Sequence, residues 1–241
     1  SWYRGTADAV YQNQDILASY GADYIVILAG DHIYKMDYKF FLEDHLNANA
    51  DLTIACLEVP RLSATGFGVA GVDGDDRITS WVEKSPDPPG LPGRPDMTLA
   101  SMGIYLFKAS FLQEVLERDA ADRDSGHDFG SDLIPYLVPR ARVFVHRFEK
   151  SCVRNPLRPE YYWRDVGTVD AYWEANLDLT YAIPALNLYD SDWPIYSYIE
   201  ALPSAKFVHS DPHRQGVAIN SLVSAGCIVS EPTGMRLVVA H

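Results

Sequence analysis

The feature that most constrains the fold is an uninterrupted apolar run at residues 24–29, which ends abruptly at Gly30-Asp31. An apolar run without polar alternation is typical of a strand buried on both faces of a parallel sheet. An amphipathic segment at 38–49 leads into a second such run at 52–57. Because strand and helix patterns alternate, the sequence predicts an α/β sheet with right-handed crossovers.

Composition and charge limit the classes of partner. The chain has 241 residues and a net charge of −13, from 20 basic and 33 acidic side chains. An acidic chain lacks the basic surface that nucleic-acid backbones require, so we expect no nucleic-acid partner. No stretch approaches the roughly 18 consecutive apolar residues of a membrane span, so we expect no membrane partner and a cytoplasmic location.

The sequence divides into three segments. We expect residues 1–183 to form the α/β domain, 184–218 to be an aromatic-rich linker, and 219–241 to begin a second domain. Small and aliphatic residues alternate after 219 as in one rung of a hexapeptide-repeat β-helix, until residue 231 breaks the pattern. One rung cannot bury its own apolar face. Because the chain also begins without Met, we expect it to be a piece of a longer protein.

Two patterns in the middle of the chain predict local structure. Strand-like runs at 67–72 and 78–82 flank the turn residues 73–76, which predicts a hairpin. A helical pattern at 128–137 contains Pro135, and we expect this proline to break the helix because it lacks a backbone N–H.

Two carboxylates from distant segments are candidate metal ligands. Asp31 lies just beyond the first apolar run, where open α/β sheets bind ligands, and Asp165 precedes the Gly167-Thr168 start of a helix. If the two meet, their oxygens suit a phosphate-bound Mg²⁺ ion. Asp31 as a turn residue and Asp165 as a helix cap or a partner of Arg164 are the alternatives.

Other candidates are weaker on the residues alone. Lys84 follows a predicted strand and is either a phosphate-binding charge or an ordinary surface lysine. Gly68 permits close backbone approach to a ligand or marks a bulge. His32 and His127 are each adjacent to an aspartate, and we expect them to be core or solvated histidines rather than ligands.

A set of motifs in fixed order resembles the bacterial glucose-1-phosphate adenylyltransferase family. The motifs are residues 2–9 (WYRGTADA), 28–35 (LAGDHIYK), 67–69 (FGV), 82–84 (VEK), 100–105 (ASMGIY) and 162–168 (YWRDVGT). Residues 220–224 (NSLVS) are similar to the start of the family's β-helix domain. The resemblance implies a Rossmann-like (GT-A) nucleotidyltransferase domain with a mostly parallel sheet that lacks its first βα unit. A stub of a left-handed β-helix would follow.

The resemblance also implies a reaction and a set of site residues. Members of the family join ATP and α-D-glucose 1-phosphate with Mg²⁺, produce ADP-glucose and pyrophosphate for glycogen biosynthesis, are allosteric, and form homotetramers. By this resemblance Asp31 and Asp165 would bind Mg²⁺ and Lys84 the sugar phosphate. The glucose pocket would contain Tyr3, Gly68, Glu83 and Ser101, and Trp2 would connect the regulatory and substrate sites.

The departures from the family pattern leave two alternatives open. The family's Gly-rich triphosphate loop does not occur in this sequence, so we expect the chain alone to be inactive or nearly so. One alternative is a sugar nucleotidyltransferase that uses UTP, dTTP or GTP. The other is a non-catalytic regulatory subunit, although the presence of Asp31, Lys84 and Asp165 together favours an enzyme.

Overall fold

The computed structural model describes residues 2–208, 216–230 and 238–239. Its contacts divide the chain into two units, the first formed by Ser1–Ala29 and Asp37–Ser151, the second by Gly30–Met36 and Cys152–His241. The predicted boundaries at 183 and 218 both lie inside the second unit and stay predictions. The predicted irregular end from residue 231 falls outside the described residues, except for 238–239. No helix in the described ranges is long and apolar enough to cross a membrane.

The first unit is built on a mixed six-stranded sheet. Its strands are β1 (Tyr24–Ile27), β3 (Leu52–Pro60), β4 (Gly68–Val72), β5 (Ile78–Glu83), β6 (Met97–Lys108) and β7 (Val143–Arg147). Five of them follow the order β5-β4-β6-β3-β7, and β1 pairs with β6. The pairing of β3 with β7 is parallel, and the other pairings of this sheet are antiparallel. The predicted hairpin is confirmed as β4–β5, whose short connection permits only antiparallel pairing.

The two apolar runs behave differently in this sheet. The second run is part of β3, which pairs with β6 and β7 and is fully buried over residues 52–56. The first run forms β1, for which the structure describes one partner, β6, and it leaves Val26 41% and Leu28 47% exposed. The prediction of a doubly buried parallel strand is therefore wrong for β1, because its pairing is antiparallel and covers one edge.

Helices cover the sheet of the first unit. They are α1 (Thr6–Tyr11), α2 (Gln14–Ser19), α3 (Tyr38–Asn47), α4 (Ala109–Ala121) and α5 (Ile134–Leu137), with a π-helical turn at Phe129–Leu133 and 3₁₀ turns at Arg61–Ala64 and Phe148–Lys150. The expected break at Pro135 is wrong, because the proline occupies the first turn of α5, where a missing N–H is tolerated. The apolar side chains of the sheet and of α4 and α5 form the main core.

The described part of the second unit contains short strands and one helix of ten residues. Its elements are β2 (His32–Tyr34), β8 (Trp163–Asp165), α6 (Val169–Asp178), β9 (Lys206–Phe207), β10 (Leu222–Val223), β11 (Ile228–Val229) and β12 (Val238–Val239). β2 pairs antiparallel with β8, whereas β9 pairs with β11 and β10 with β12 in parallel. The buried Lys35 ammonium donates to Asp190 Oδ2 at 3.0 Å and to the Trp193 carbonyl at 2.9 Å. These bonds attach part of the predicted linker to the end of β2.

Candidate functional site

The acidic group of the second unit is assembled by the β2–β8 pair. Asp165 ends β8 opposite His32, and Asp31 directly precedes β2. One ligand atom from each of Asp31, His32 and Asp165 lies within 4.8 Å of the others. A Cβ atom on Gly167 would lie 3.1 Å from Asp165 Oδ1 and 3.4 Å from Asp31 Oδ2, so both carboxylates face the same glycine.

Backbone hydrogen bonds hold this arrangement. The Gly167 N–H donates to Asp165 Oδ1 at 2.8 Å, and the Val166 N–H donates to the Asp31 carbonyl at 2.9 Å. The N-cap of α6 is Thr168, whose hydroxyl accepts from the Ala171 N–H. Asp165 is therefore not the helix cap that the sequence left as an alternative.

These residues fit a divalent cation. Asp31 and Asp165 supply carboxylate oxygens from two segments, which is the donor chemistry that Mg²⁺ and Ca²⁺ prefer. The other predicted partner of Asp165, Arg164, instead forms an ion pair with Asp178 at 2.9 Å. The Asp165 carboxylate thus lies beside Asp31 and not in a surface ion pair with its neighbour.

His32 belongs to the same group, which sequence reasoning did not anticipate. Its side chain is 10% exposed, its Nε2 lies 3.5 Å from Asp31 Oδ1, and its ring packs edge-on against Trp163. Its Nδ1 is buried and has no hydrogen-bond partner in the described part of the chain. His32 packs against Trp163, as expected of a core histidine. One of its ring nitrogens also lies near both carboxylates, so all three side chains could bind the same cation.

A second cluster lies in the first unit, around Glu83. Gly68 is the register partner of Glu83 in the β4–β5 pair. A Cβ atom on Gly68 would lie 2.7 Å from Glu83 Oε2, and a Cβ on Gly130 would lie at the same distance from the same oxygen. The carboxylate therefore lies close to both glycine backbones. A side chain at Gly68 would also meet the Trp81 ring, whereas one at Gly130 would require the Glu83 carboxylate to move. Gly68 thus permits the close approach of Glu83 and Trp81, and its predicted close approach to a ligand stays a prediction.

Lys84 follows β5 in an unusual backbone conformation. Its φ is +47°, and its N–H donates to the Phe67 carbonyl at 3.1 Å. The left-handed region is unfavourable for a residue with a Cβ, and such residues concentrate at functional sites. Burial raises the pKa of Glu83 above its usual value, while the Lys84 charge opposes the rise and Asp128 adds to it.

Ser101 and Tyr105 lie on β6, and Tyr105 is affected by the Glu83 charge. Gly103 has φ +66° within the register shift of β6, and its N–H donates to Ser101 Oγ at 3.2 Å. Burial raises the pKa of Tyr105, a hydrogen bond with Ser101 opposes the rise, and the charges of Glu83 and Asp128 add to it. The bulge thus places Ser101 beside Tyr105, and the Glu83 charge acts on Tyr105.

Asp128 is an acidic member of this cluster that sequence reasoning missed. Its carboxylate accepts from the N–H groups of Gly130 at 2.9 Å and Ser131 at 3.0 Å, and from the Thr6 hydroxyl at 2.9 Å. Burial opposes ionisation, but these donors outweigh it and hold the pKa of Asp128 below its usual value. The sequence signal was its position before Phe129-Gly130, a turn-like start of a helix.

The structure does not unite all the predicted site residues. Asp31 and Asp165 belong to the second unit, whereas Gly68, Glu83, Lys84 and Ser101 belong to the first. Tyr3 accepts a hydrogen bond from Asn13 Nδ2 at 3.3 Å and is 57% exposed. Trp2 is 96% exposed. Among the contacts described, none connects Tyr3 or Trp2 to Glu83, and their roles stay predictions.

Comparison with known proteins now identifies the class. Residues 2–181 match the family model described as nucleotidyl transferase, and residues 203–240 match the GlmU-like C-terminal hexapeptide model. The chain belongs to the nucleotidyl transferase family. This confirms the predicted α/β nucleotidyltransferase class followed by hexapeptide-repeat sequence.

Individual relatives show which members of the family the chain is similar to. The chain is 62% identical to the glucose-1-phosphate adenylyltransferase of Mesorhizobium japonicum over 96% of its length, and 59% identical to that of Rhizobium meliloti over 95%. It is 61% identical to the Granulibacter bethesdensis protein of the same name over 95% of its length. The matches cover 55%, 54% and 55% of the relatives, so the chain spans about half their length. The resemblance inferred from the motifs is confirmed.

Proposed function

We propose that the protein carrying this chain transfers the adenylyl group of ATP to α-D-glucose 1-phosphate and releases pyrophosphate and ADP-glucose. The observation that carries the proposal is the convergence of Asp31 and Asp165 beside Gly167 in a nucleotidyl transferase chain. The choice of substrates follows the names of the relatives.

The reaction requires positioning more than a protein nucleophile. A phosphate oxygen of glucose 1-phosphate forms a bond to the α-phosphorus of ATP, and the bond from that phosphorus to the bridging oxygen breaks. Pyrophosphate leaves with the electron pair. Because negative charge accumulates on both phosphates, the chain must align them and neutralise their charge.

Lys84 and Glu83 would bind the two ends of the sugar phosphate. The Lys84 ammonium pairs with the phosphate, and the half-buried Glu83 carboxylate accepts hydrogen bonds from glucose hydroxyls. Gly68 lets the Glu83 carboxylate and the Trp81 ring lie close to the β4 backbone, while the Ser101 hydroxyl and the Tyr3 ring complete the proposed pocket. A buried carboxylate bound to hydroxyls discriminates strongly against ligands that lack them, because it is then left without partners.

Asp31 and Asp165 would hold Mg²⁺, and His32 lies beside them. The bound ion would neutralise phosphate charge as the new bond forms. Asp165 keeps its orientation through the Gly167 N–H, so its carboxylate is fixed before substrate binds.

The likeness to the relatives also supports proposals about the whole protein. We propose an allosteric homotetramer of glycogen biosynthesis in the cytoplasm, with Trp2 on the path between the regulatory and substrate sites. We further propose that residues 1–183 are the catalytic portion, 184–218 a linker, and 219–241 the start of the β-helix.

Product identification with several nucleotides tests the proposal. The protein that carries this chain is incubated with α-glucose 1-phosphate, Mg²⁺ and ATP, UTP, dTTP or GTP in turn, and mass spectrometry identifies the sugar nucleotide. The expected result is ADP-glucose, with a preference for ATP of about tenfold or more. Preferential formation of UDP-, dTDP- or GDP-glucose would overturn the choice of nucleotide. Formation of no sugar nucleotide would favour a non-catalytic regulatory subunit.

A further inference from the structure

We propose that Trp81 is a positioning residue of the sugar pocket, because its indole N–H binds the Gly130 carbonyl and thereby sets how closely the Gly130 backbone approaches Glu83. The inference rests on the proposed function, since it takes Glu83 as the carboxylate that binds sugar hydroxyls. It assigns a role to a side chain that no motif of the sequence had marked.

The β4–β5 pair puts Trp81 and Glu83 on the same side of β5. Alternate residues of a strand share a face, so Trp81 and Glu83 point the same way, opposite Ala70 and Gly68 of β4. A Cβ on Gly68 would overlap the six-membered ring of Trp81 as well as Glu83 Oε2. The indole therefore lies across the space that Gly68 leaves open.

The other end of the indole contacts the loop that follows His127. Trp81 Nε1 donates to the Gly130 carbonyl at 2.8 Å. A Cβ on Gly130 would lie 2.7 Å from Glu83 Oε2 and 3.0 Å from its carboxyl carbon. The carbonyl oxygen of Gly130 thus binds Trp81, while the α-carbon of Gly130 lies next to the Glu83 carboxylate.

The residues before Gly130 are held by hydrogen bonds with α1 and within the loop itself. Thr6 in α1 accepts from the Phe129 N–H at 3.0 Å and donates to Asp128, and Asp128 accepts from the Gly130 N–H. These bonds connect the loop to α1 and to itself. The Trp81 bond connects it to β5, the strand that carries Glu83.

The indole N–H has an electrostatic role as well. Trp81 also acts directly on Glu83, because its N–H lowers the pKa that burial raises. A phenylalanine at position 81 would keep most of the ring volume and lose both effects.

The test compares Trp81→Phe with Trp173→Phe, which changes a 61% exposed indole on α6 of the other unit. Isothermal titration calorimetry of the protein that carries this chain gives the Kd for α-glucose 1-phosphate, and carbon-13 NMR gives the pKa of Glu83. Trp81→Phe is expected to weaken binding by about fivefold and to raise the Glu83 pKa. Trp173→Phe is expected to change neither.

A second variant separates positioning from general damage to the fold. Gly130→Ala keeps the Trp81 side chain and places a methyl group against Glu83 Oε2, so it too is expected to weaken sugar-phosphate binding. A Glu83 pKa in Trp81→Phe equal to that of the unchanged chain would overturn the proposal. If the unchanged protein that carries this chain does not bind α-glucose 1-phosphate, the proposed function fails, and the Glu83 pKa still decides the role of Trp81.

Discussion

Lys84 combines a functional charge with an unfavourable backbone conformation. Its φ of +47° places a residue with a Cβ in the left-handed region, directly after Glu83 and opposite the Phe67 carbonyl. Strain of this kind persists when surrounding hydrogen bonds enforce it, and it costs about 1–3 kcal/mol. At Lys84 the sheet register and the Phe67 bond supply that constraint.

Replacing Lys84 separates its charge from its strain. Lys84→Gly and Lys84→Ala both remove the ammonium, and both are expected to weaken α-glucose 1-phosphate binding by about tenfold. The glycine variant is expected to exceed the alanine variant in free energy of unfolding by about 1 kcal/mol, because only alanine retains the left-handed penalty. Calorimetric titration and urea denaturation measure the two effects. Equal stabilities would contradict stored strain, and unchanged Kd values would remove Lys84 from the site.

The acidic group of the second unit gives a separate prediction. Asp165→Asn keeps an oxygen that can accept from the Gly167 N–H but removes the charge, so Mn²⁺ affinity is expected to fall by about tenfold or more. Electron paramagnetic resonance of Mn²⁺ measures this directly. The control is Asp170→Asn, an exposed aspartate in the first turn of α6. Equal Mn²⁺ affinities for the two variants would contradict a metal site at Asp165.

The sequence predicted the site residues that follow a recognisable local pattern. It missed those whose role depends on how the strands pair. Asp31 and Asp165 follow recognisable strand and turn patterns, and the structure brings them together. Trp81 and Asp128 become part of the Glu83 environment only through the β4–β5 pairing and the loop after His127. Neither the pairing register nor a left-handed residue such as His127 can be deduced from periodicity.

At the scale of elements, α3 is attached to the sheet by buried histidines. His45 Nδ1 is 2.7 Å from the Thr53 hydroxyl of β3, and His146 of β7 lies 2.8 Å from both Asp44 and Ser151. Both rings are nearly inaccessible to solvent. Burial lowers the pKa of His45 to about 4, and burial also lowers that of His146, although Asp44 opposes the shift.

Because of these histidines, we expect the free energy of unfolding to fall as the pH is lowered, starting above the pH range in which carboxylates protonate. The unfolded chain binds a proton at His45 below about pH 6.5, whereas the folded chain does so only near pH 4. Stability is therefore present above pH 6.5 and falls as the pH drops toward 4, by about 1–2 kcal/mol between pH 7 and 5 for His45 alone. Urea denaturation of His45→Gln should show a shallower pH dependence than the unchanged chain. Parallel curves would contradict a buried neutral His45.

The sequence predicted a strand and its burial correctly where the apolar pattern matched the number of neighbouring strands. β3 was predicted from its apolar run and is buried between two strands, but β1 has the same pattern and a single described partner. An apolar run therefore identifies a strand without identifying its neighbours or their direction. Pro135 shows the same limit, because its effect depends on whether it lies in the first turn of a helix or further along.

For the molecule as a whole, the sequence motifs were sufficient to predict the family. Their order along the chain predicted the nucleotidyl transferase class, and the family matches over residues 2–181 and 203–240 confirm it. The division into units was not predictable from linker composition, because residues 30–36 join the second unit through the pairing of β2 (residues 32–34) with β8, which is distant in sequence. Both aspartates of the proposed metal site lie in this second unit.

The decisive experiment for the proposed adenylyl transfer measures the rate of pyrophosphate release from ATP and α-glucose 1-phosphate by the protein that carries this chain. Asp31→Asn is compared with Asp170→Asn, which removes an exposed carboxylate outside the acidic group. We expect Asp31→Asn to lower the rate by about a hundredfold or more and Asp170→Asn to leave it unchanged. An unchanged rate in Asp31→Asn would contradict catalysis by this chain and would favour a regulatory subunit.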